Sequence, residues 1–519
     1  MQINFLEITL KLVLIFCFFL FEILSTIYFV HMFQLNYYKF SEQWIWIKKN
    51  KTKHSALIFP LFGAIVGGLI GHKTGMVIAI ISILIATYFY KPIDAKKPLV
   101  YTARVKRMLL TLSIIYGLSA FLTAIFASAR VLVIVLCIEC ILTHAMLLFA
   151  NIINKPIELA INKHYINDAK RIIEDFPQLT VIGITGSYGK TSVKHYLNTL
   201  LQAKYNVLMT PGNINTDLGV TRIIRNELKA THQIFICEMG AKWVGDIKDI
   251  CDIVHPKYGV ITAVGPMHLE SFGSVENIVK TKFELADAIP DDGKVFLNYD
   301  CELIRQENRD AITYSLNNDS QYKAKVLSVS EKGTDFLVTA PNGEEMQYST
   351  RLIGEHNVLN ILAAIAISHE LGISLEALRP QVRKLQSVAH RLELTNRGNL
   401  TIIDDSYNSN PSGTKAALNT LNYFDSTKIL VTPGMVELGE KQEELNFEFG
   451  VNAAEVCDYV ALVGKKQTQS IYDGLIKSGF NQSNIKVADT LKEALNWVYS
   501  IKSDTKKTIL LENDLPDNY

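Results

Sequence analysis

A helical membrane region followed by two α/β domains is the fold class predicted for this 519-residue sequence, and three features predict it. Long apolar runs crowd the first ~150 residues, and they reach the roughly 20-residue length that a membrane-crossing helix needs. From Leu179 to about Arg309, short β-rich runs alternate with helical stretches, the pattern of a parallel sheet covered by helices. A third α/β unit, Rossmann-like, opens at Leu400-Thr401-Ile402-Ile403-Asp404-Asp405 and continues to the end. The expected domains are residues 1–153, a transmembrane region of about five helices; 154–390, a central parallel-sheet domain with a β-excursion at about 310–350; and 391–519, a C-terminal domain.

The first apolar span, residues 4 to 32, is too long for a removed signal peptide and lacks a small-residue cleavage site. Further spans are expected at 55–71, 75–90, 108–127 and 130–152, the second and third close enough to form one re-entrant hairpin. Lys39, Lys48, Lys49, Lys51 and Lys53 crowd one connecting segment, and Lys91, Lys96, Lys97, Arg104, Lys106 and Arg107 another, while the turns near Lys73 and Arg130 carry almost no charge. The positive-inside rule makes the rich loops cytoplasmic, so the expected localisation is a multi-pass cell membrane protein with its N-terminus outside and its catalytic domains in the cytoplasm. Glu22 and Glu139 lie inside spans, where a carboxylate is costly. A net charge of +1 and the lack of a basic arm speak against a nucleic-acid partner. The seven cysteines are scattered without metal-ligand spacing, and Cys137-x-x-Cys140 falls within an apolar run, as small core residues do.

The central domain is organised around Val181-Ile182-Gly183-Ile184-Thr185-Gly186-Ser187-Tyr188-Gly189-Lys190-Thr191-Ser192. An apolar run, Leu179 to Ile184, enters a glycine-bearing loop and leaves through Lys190-Thr191 into a helical segment, Ser192 to Ala203. This is the layout of a phosphate-binding loop: glycines bring backbone N–H groups to phosphate oxygens, a helix N-terminus favours the negative charge, a lysine reaches the terminal phosphates and a Thr hydroxyl meets Mg²⁺. Thr185, Gly186, Ser187, Gly189, Lys190, Thr191 and Ser192 are therefore candidates for holding a nucleotide. Ile184 stands where the usual pattern has glycine, so the loop is a variant, G-x-T-G-x-x-G-K-T-S.

After Tyr205 to Met209 comes a polar turn, Thr210 to Thr216, and the next strand, Gln233 to Cys237, ends at Glu238. A carboxylate at the carboxyl end of a strand beside the phosphate loop suits a second Mg²⁺ ligand. Tyr258 to Val264 is another strand, running into Gly265-Pro266-Met267-His268-Leu269. Gly354-Glu355-His356-Asn357 leads an Ala-rich helix within Leu352 to Leu371, and Arg391 sits in a short connector before the third unit.

With these pieces in order, residues 180 to 500 resemble the Mur ligases, the ATP-dependent amide-forming family of cell-wall synthesis. The variant loop is the family's own form. Asn213-Ile214-Asn215, Glu238-Met239-Gly240-Ala241, the segment from Gly265 to Ser274 and Lys280-Thr281-Lys282-Phe283-Glu284 match its further blocks. Asp404-Asp405-Ser406-Tyr407-Asn408-Ser409-Asn410-Pro411 and Glu437-Leu438-Gly439-Glu440 are similar to the MurF branch, which adds D-alanyl-D-alanine to a UDP-muramoyl tripeptide.

The resemblance implies ATP and two Mg²⁺ sites. Lys190 and the loop amides would hold phosphates; Thr191, Glu238, His268 and Lys282, the last carbamylated, would serve the metals. His356, Asn357 and Asn360 would lie near adenine, and Arg391, Asp405, Tyr407 and Asn408 would close over nucleotide and acceptor. A carboxylate attacking the γ-phosphate is anion meeting anion, so metals and cations must neutralise the charge; Lys190, Lys282, His268 and Arg391 are the expected catalytic set.

Two departures bear on the substrates: membrane spans stand where a MurF has its UDP-sugar domain, and the family's usual Lys-Gly-Ser-Arg ending is absent, the last residues being Leu511-Glu512-Asn513-Asp514-Leu515-Pro516-Asp517-Asn518-Tyr519. The expectation is a membrane-anchored ligase that activates a muramoyl-peptide carboxylate, soluble or lipid-linked, as an acyl phosphate for an amino acid or D-Ala-D-Ala. Its rivals are a polyglutamate-type ligase of the same superfamily and a non-catalytic ATP-binding membrane scaffold.

Overall fold

The computed structural model describes residues 5–49, 54–90, 97–267, 269–407, 409–436 and 438–514. The expected site residues His268 and Asn408, Glu437 of the second MurF-like motif, and the loop lysines 51, 53, 91 and 96 lie outside the described residues. The chain divides into two compact units, one ending at Lys163 and the other running from His164 to Leu515.

In the first unit the apolar segments are helical: Phe5–Leu35, Ser55–Ile70, His72–Tyr88, Ala103–Phe126 and Ala129–Glu174, with a short helix Phe40–Lys49 between the first two. Three of them, Phe5–Leu35, Ala103–Phe126 and Ala129–Glu174, are long and apolar enough to cross a membrane. Ser55–Ile70 and His72–Tyr88 are shorter than a span and meet at Gly71, whose φ of 65° turns the chain. Their glycines let them touch: a Cβ on Gly75 would stand 2.2 Å from the Gly67 carbonyl oxygen. Polar side chains bind the helices together. Thr143 Oγ1 donates to both oxygens of Glu22 at 3.1 and 3.2 Å, and Arg107 grips Glu158 through two bonds of 2.7 and 2.9 Å. The expected boundary at 153 falls inside the 46-residue helix Ala129–Glu174, which carries Pro156. Hydropathy drops there but helical periodicity does not, so the chain changes polarity without changing conformation.

The second unit holds two sheets. The first has nine strands among the described residues: β1 (Thr180–Thr185), β2 (Val207–Met209), β3 (Ile234–Glu238), β4 (Tyr258–Ile261), β5 (Lys294–Asn298), β6 (Ile312–Ser315), β7 (Tyr322–Ser330), β8 (Gly333–Thr339) and β9 (Glu345–Thr350), in the order β2-β3-β1-β4-β5-β6-β7-β8-β9. Strands β1 to β6 pair in parallel, and β7 to β9 form an antiparallel meander that extends the same sheet. The expected β-excursion is thus a continuation of the parallel sheet, joined through the parallel β6–β7 pair. Apolar faces of the helices Lys190–Leu201 and Glu355–Glu370 pack on it, with Val193, Leu197, Ile361 and Leu362 fully buried among Ile182, Ile184 and Ile236.

The second sheet runs β10 (Glu393–Arg397), β11 (Leu400–Asp405), β15 (Lys507–Glu512), β12 (Thr427–Thr432), β13 (Tyr459–Val463), β14 (Ile485–Ala488). All pairs are parallel except the edge pair β10–β11. The last strand is inserted beside β11, so the carboxyl ends of β11 and β15 open together, the usual place for a site in such a sheet.

Candidate active site

Strand β1 delivers the loop. Its last residue, Thr185, donates its hydroxyl to the Met239 carbonyl, and the backbone turns through Gly186 (φ 149°) and Gly189 (φ 81°) into the helix that starts at Lys190. Side chains are barred at both glycines: a Cβ on Gly186 would lie 2.1 Å from Thr262 Oγ1, and one on Gly189 2.8 Å from Asn360 Oδ1. Ser187 pins the loop to the end of β4, its N–H donating to Ala263 O at 2.6 Å and its hydroxyl to Gly265 O at 3.1 Å. Thr262 Oγ1 donates to the Tyr188 carbonyl from the same segment. Ser192 follows as the third residue of that helix and is half-buried.

Lys190 turns back over its own loop, with Nζ 2.6 Å from Gly186 O and 3.3 Å from Ser187 O. Burial lowers its pKa to about 8; the Glu238 carboxylate opposes the fall and the Arg391 guanidinium adds to it. The ammonium group is therefore primed for an anion that would restore its charge.

Glu238, at the end of β3, lies beside Thr191, whose hydroxyl donates to Oε2 at 3.0 Å. Asn215 Nδ2 donates to Oε1 at 3.1 Å from the polar turn, and Lys194 Nζ is 2.9 Å from Oε2. Burial pushes the Glu238 pKa up, but Lys194 and Lys190, with hydrogen bonds from Lys194 and Asn215, outweigh it and keep the carboxyl below its ordinary value. A hydroxyl and an ionised carboxylate oxygen together at the foot of a glycine cradle are hard oxygen donors suited to Mg²⁺, so the residues present fit a magnesium nucleotide.

Lys282 is buried on the helix Val275–Asp287, with Nζ 5.9 Å from the centre of the Phe272 ring. Burial and then the Lys190 charge lower its pKa to about 7, against the weaker pull of Asp246 and Glu284. A lysine held near neutrality is a nucleophilic amine.

Of the three residues expected near adenine, Asn357 is committed to the protein: its Oδ1 accepts from Tyr196 Oη at 2.7 Å and its Nδ2 donates to Ile353 O at 3.0 Å. His356 has a buried Nε2 with no hydrogen-bond partner among the described residues, and burial lowers its pKa to about 4. Asn360 faces the loop at Gly189.

The connector places Arg391 between two residues of left-handed backbone, His390 (φ 59°) and Leu392 (φ 49°). The motif after β11 holds that bend: Asp404 Oδ2 lies 2.7 Å from His390 Nδ1, Asp405 Oδ1 accepts from Leu392 N at 3.1 Å, and Tyr407 N donates to His390 O. The Arg391 guanidinium lies 4.3 Å from the centre of the Tyr407 ring. Arg391 thus lies within electrostatic reach of the loop lysine.

Two residues stand in this site that sequence reasoning missed. Lys194 is four positions beyond Lys190, hence on the same helix face, and that spacing was the available signal. Glu512 pairs in register with Asp405 and accepts from Ser409 Oγ at 2.8 Å; nothing in the sequence pointed to it.

Comparison with known proteins agrees with this geometry. Residues 184–368 match the Mur ligase middle domain, and residues 390–512 match the Mur ligase, glutamate ligase domain. The UDP-N-acetylmuramoyl-tripeptide–D-alanyl-D-alanine ligase of Bacillus subtilis is 33% identical over 291 residues, 55% of this chain and 63% of that protein. The chain therefore spans just under two thirds of the length of the curated relatives it matches. MurF from Acinetobacter baumannii superposes with a TM-score of 0.63 at 27% identity, covering 69% of this chain and 78% of that one. MurF ligase from Thermotoga maritima in complex with ADP gives 0.61 at 26% identity, covering 68% and 80%. By its middle and C-terminal domains, this chain belongs to the Mur ligase family.

Proposed function

We propose that this protein is a membrane-anchored, MurF-type ligase that joins an amine, D-alanyl-D-alanine or a related amino acid, to the carboxylate of a muramoyl peptide at the expense of ATP. The observation that carries the reading is the Thr191–Glu238 contact beneath the glycine cradle, set in a chain whose relatives are named UDP-N-acetylmuramoyl-tripeptide–D-alanyl-D-alanine ligases.

The roles of the residues follow from charge. Gly186 and Gly189 let backbone N–H groups reach phosphate oxygens, and Lys190 swings from the Gly186 carbonyl to the phosphates. Thr191 and Glu238 would hold Mg²⁺, whose chemistry there would be charge neutralisation at the phosphoryl group. Lys282, as a near-neutral amine, adds CO₂ to become a carbamate and a further metal-facing anion; the carbamate forms as the amine nitrogen bonds carbon and releases a proton. Arg391 approaches the phosphates from the connector. The carboxylate so activated, an acyl phosphate, is attacked by the amine with loss of phosphate, and closure of the two α/β domains excludes water.

The first unit supplies the anchor. Its three long apolar helices have the composition of membrane spans, and by the positive-inside rule the lysine-rich connecting segments support a cytoplasmic side for the α/β domains. Because this unit stands where relatives have other sequence, the muramoyl substrate is met at the membrane surface, soluble or lipid-linked.

The test is phosphate release by the full-length protein in detergent with ATP, Mg²⁺, UDP-muramoyl tripeptide and D-Ala-D-Ala, with products read by mass. Product of the expected mass, lost in K190A, supports the reading; turnover only on a lipid-linked acceptor moves the substrate into the membrane. Nucleotide binding without turnover on either acceptor overturns it.

A further inference from the structure

We propose that Lys194 is a positioning residue that acts as the resident cation of Glu238, holding the metal-facing carboxylate aimed and charge-compensated before any metal or nucleotide arrives. Its magnesium arm rests on the reading that Glu238 faces Mg²⁺.

Four observations carry it. Lys194 Nζ is 2.9 Å from Glu238 Oε2 and also donates to Gly212 O at 2.6 Å, so one ammonium group ties the helix Lys190–Leu201, the end of β3 and the polar turn together. The side chains are 0% and 2% exposed, and among the described residues this is the only ion pair with both partners sealed from water. The same oxygen, Oε2, accepts from Thr191, while Oε1 is held by Asn215, so the carboxylate is fixed from three directions. Lys190, the other lysine of this helix face, is not the contact partner: its Nζ bonds the Gly186 and Ser187 carbonyls and reaches Glu238 through its charge alone.

The chemistry is that of an exchangeable counter-charge. A buried carboxylate without a cation is strongly unfavourable, and breaking a buried pair from one side leaves that cost in place. A Mg²⁺ ion held by Thr191 and Glu238 would compensate the same carboxylate. With Lys194 in place a metal would meet a carboxylate already compensated at contact distance; without Lys194 the metal would replace that lost contact.

The experiment is thermal unfolding of the full-length protein in detergent, without nucleotide, with and without Mg²⁺. For the wild type, Mg²⁺ alone moves the midpoint little. K194M unfolds on the order of 10 °C lower without metal, and Mg²⁺ restores most of the loss. The double variant K194M/E238Q, with neither charge, recovers the wild-type midpoint without Mg²⁺. If K194M does not fold, recovery of folded protein in K194M/E238Q upholds the proposal and failure to recover it overturns it. A K194M midpoint equal to wild type, or a deficit that neither Mg²⁺ nor E238Q relieves, also overturns it, since simple packing of the lysine stem predicts those results. Unfolding is read rather than turnover, so failure of the ligase reading leaves the ion-pair result standing and is told apart from it.

Discussion

Asp405 and Glu512 face each other in register at the carboxyl ends of β11 and β15, where the Asp405 charge bears on the Glu512 carboxyl. Burial raises the pKa of Asp405 to about 6, with Leu392 N–H, Glu512 and Arg391 opposing it. Burial and the Asp405 charge raise that of Glu512 well above the ordinary carboxylate range. The pair therefore holds a proton in the folded protein that the unfolded chain gives up. For a group whose folded pKa is raised, the stabilisation is complete below the unfolded value and is lost as pH rises through the folded one. For Asp405 that window runs from the ordinary 3.8 up to about 6.

E512Q removes one of the two carboxyls while preserving the hydrogen bond to Ser409. The variant is expected to gain stability at pH 8 by about 1–3 kcal/mol relative to wild type, and to flatten the fall in stability between about pH 4 and 6. Chemical denaturation of the two proteins across this range measures it; parallel pH profiles would mean the two carboxyls do not share a proton.

Lys190 yields a proton-linkage prediction. Its pKa of about 8 in the nucleotide-free protein reflects burial first, and phosphate oxygens would raise it. At about pH 8.5 ATP binding is expected to take up a substantial fraction of one proton, and near pH 6.5 almost none. Titration calorimetry in buffers of differing ionisation enthalpy counts the protons, and K190M should abolish the uptake. The same count at both pH values would place Lys190 away from the phosphates.

Much of this site was legible because it is local. The run into Gly186, the exit through Lys190-Thr191 and the strand ending at Glu238 are sequence-adjacent features with fixed periodicity, and the structure places them together. Lys194 escaped notice because its partner is 44 positions away and the pair exists only once β3 lies beside β1. Glu512 looks in sequence like part of a divergent tail, yet β15 inserts between β11 and β12, and strand order across long crossovers leaves no periodic trace. Strand β10, Glu-Leu-Thr-Asn-Arg, was missed because a polar edge strand resembles a loop. The long helix Ala129–Glu174 was cut short because hydropathy marks where lipid-like composition ends, which is not where the helix ends.

For Lys282, with its pKa lowered to about 7 by burial and by Lys190, the expected outcome is carbamate formation that increases above pH 7, where the neutral amine predominates. Isotopically labelled bicarbonate should give a carbamate carbon signal in the wild type and none in K282R. Ligase turnover should fall in CO₂-free buffer, and K282A should reduce it by about 10²–10³-fold, the scale for loss of one preorganised charge-stabilising group. A carbamate signal unchanged in K282R would assign the modification elsewhere.

Asn357 separates a direct nucleotide contact from a brace. Its side chain is 8% exposed and both ends are engaged, by Tyr196 Oη and the Ile353 carbonyl, so it joins the helix Glu355–Glu370 to the helix that carries Lys190. N357A leaves the Tyr196 hydroxyl unsatisfied, and Y196F leaves Asn357 Oδ1 unsatisfied; each is expected to cost about 1–3 kcal/mol of stability. If Asn357 acts only by holding the two helices together, the two variants weaken ATP binding to a similar small degree, and the double variant costs less than the sum of the singles. If instead N357A weakens ATP binding tenfold more than Y196F at matched stability, Asn357 turns its amide to the adenine when nucleotide binds. The geometry favours the brace, because Oδ1 and Nδ2 are each tied to a fixed partner, Tyr196 Oη and the Ile353 carbonyl, and turning the amide toward a ligand would strain or break those bonds.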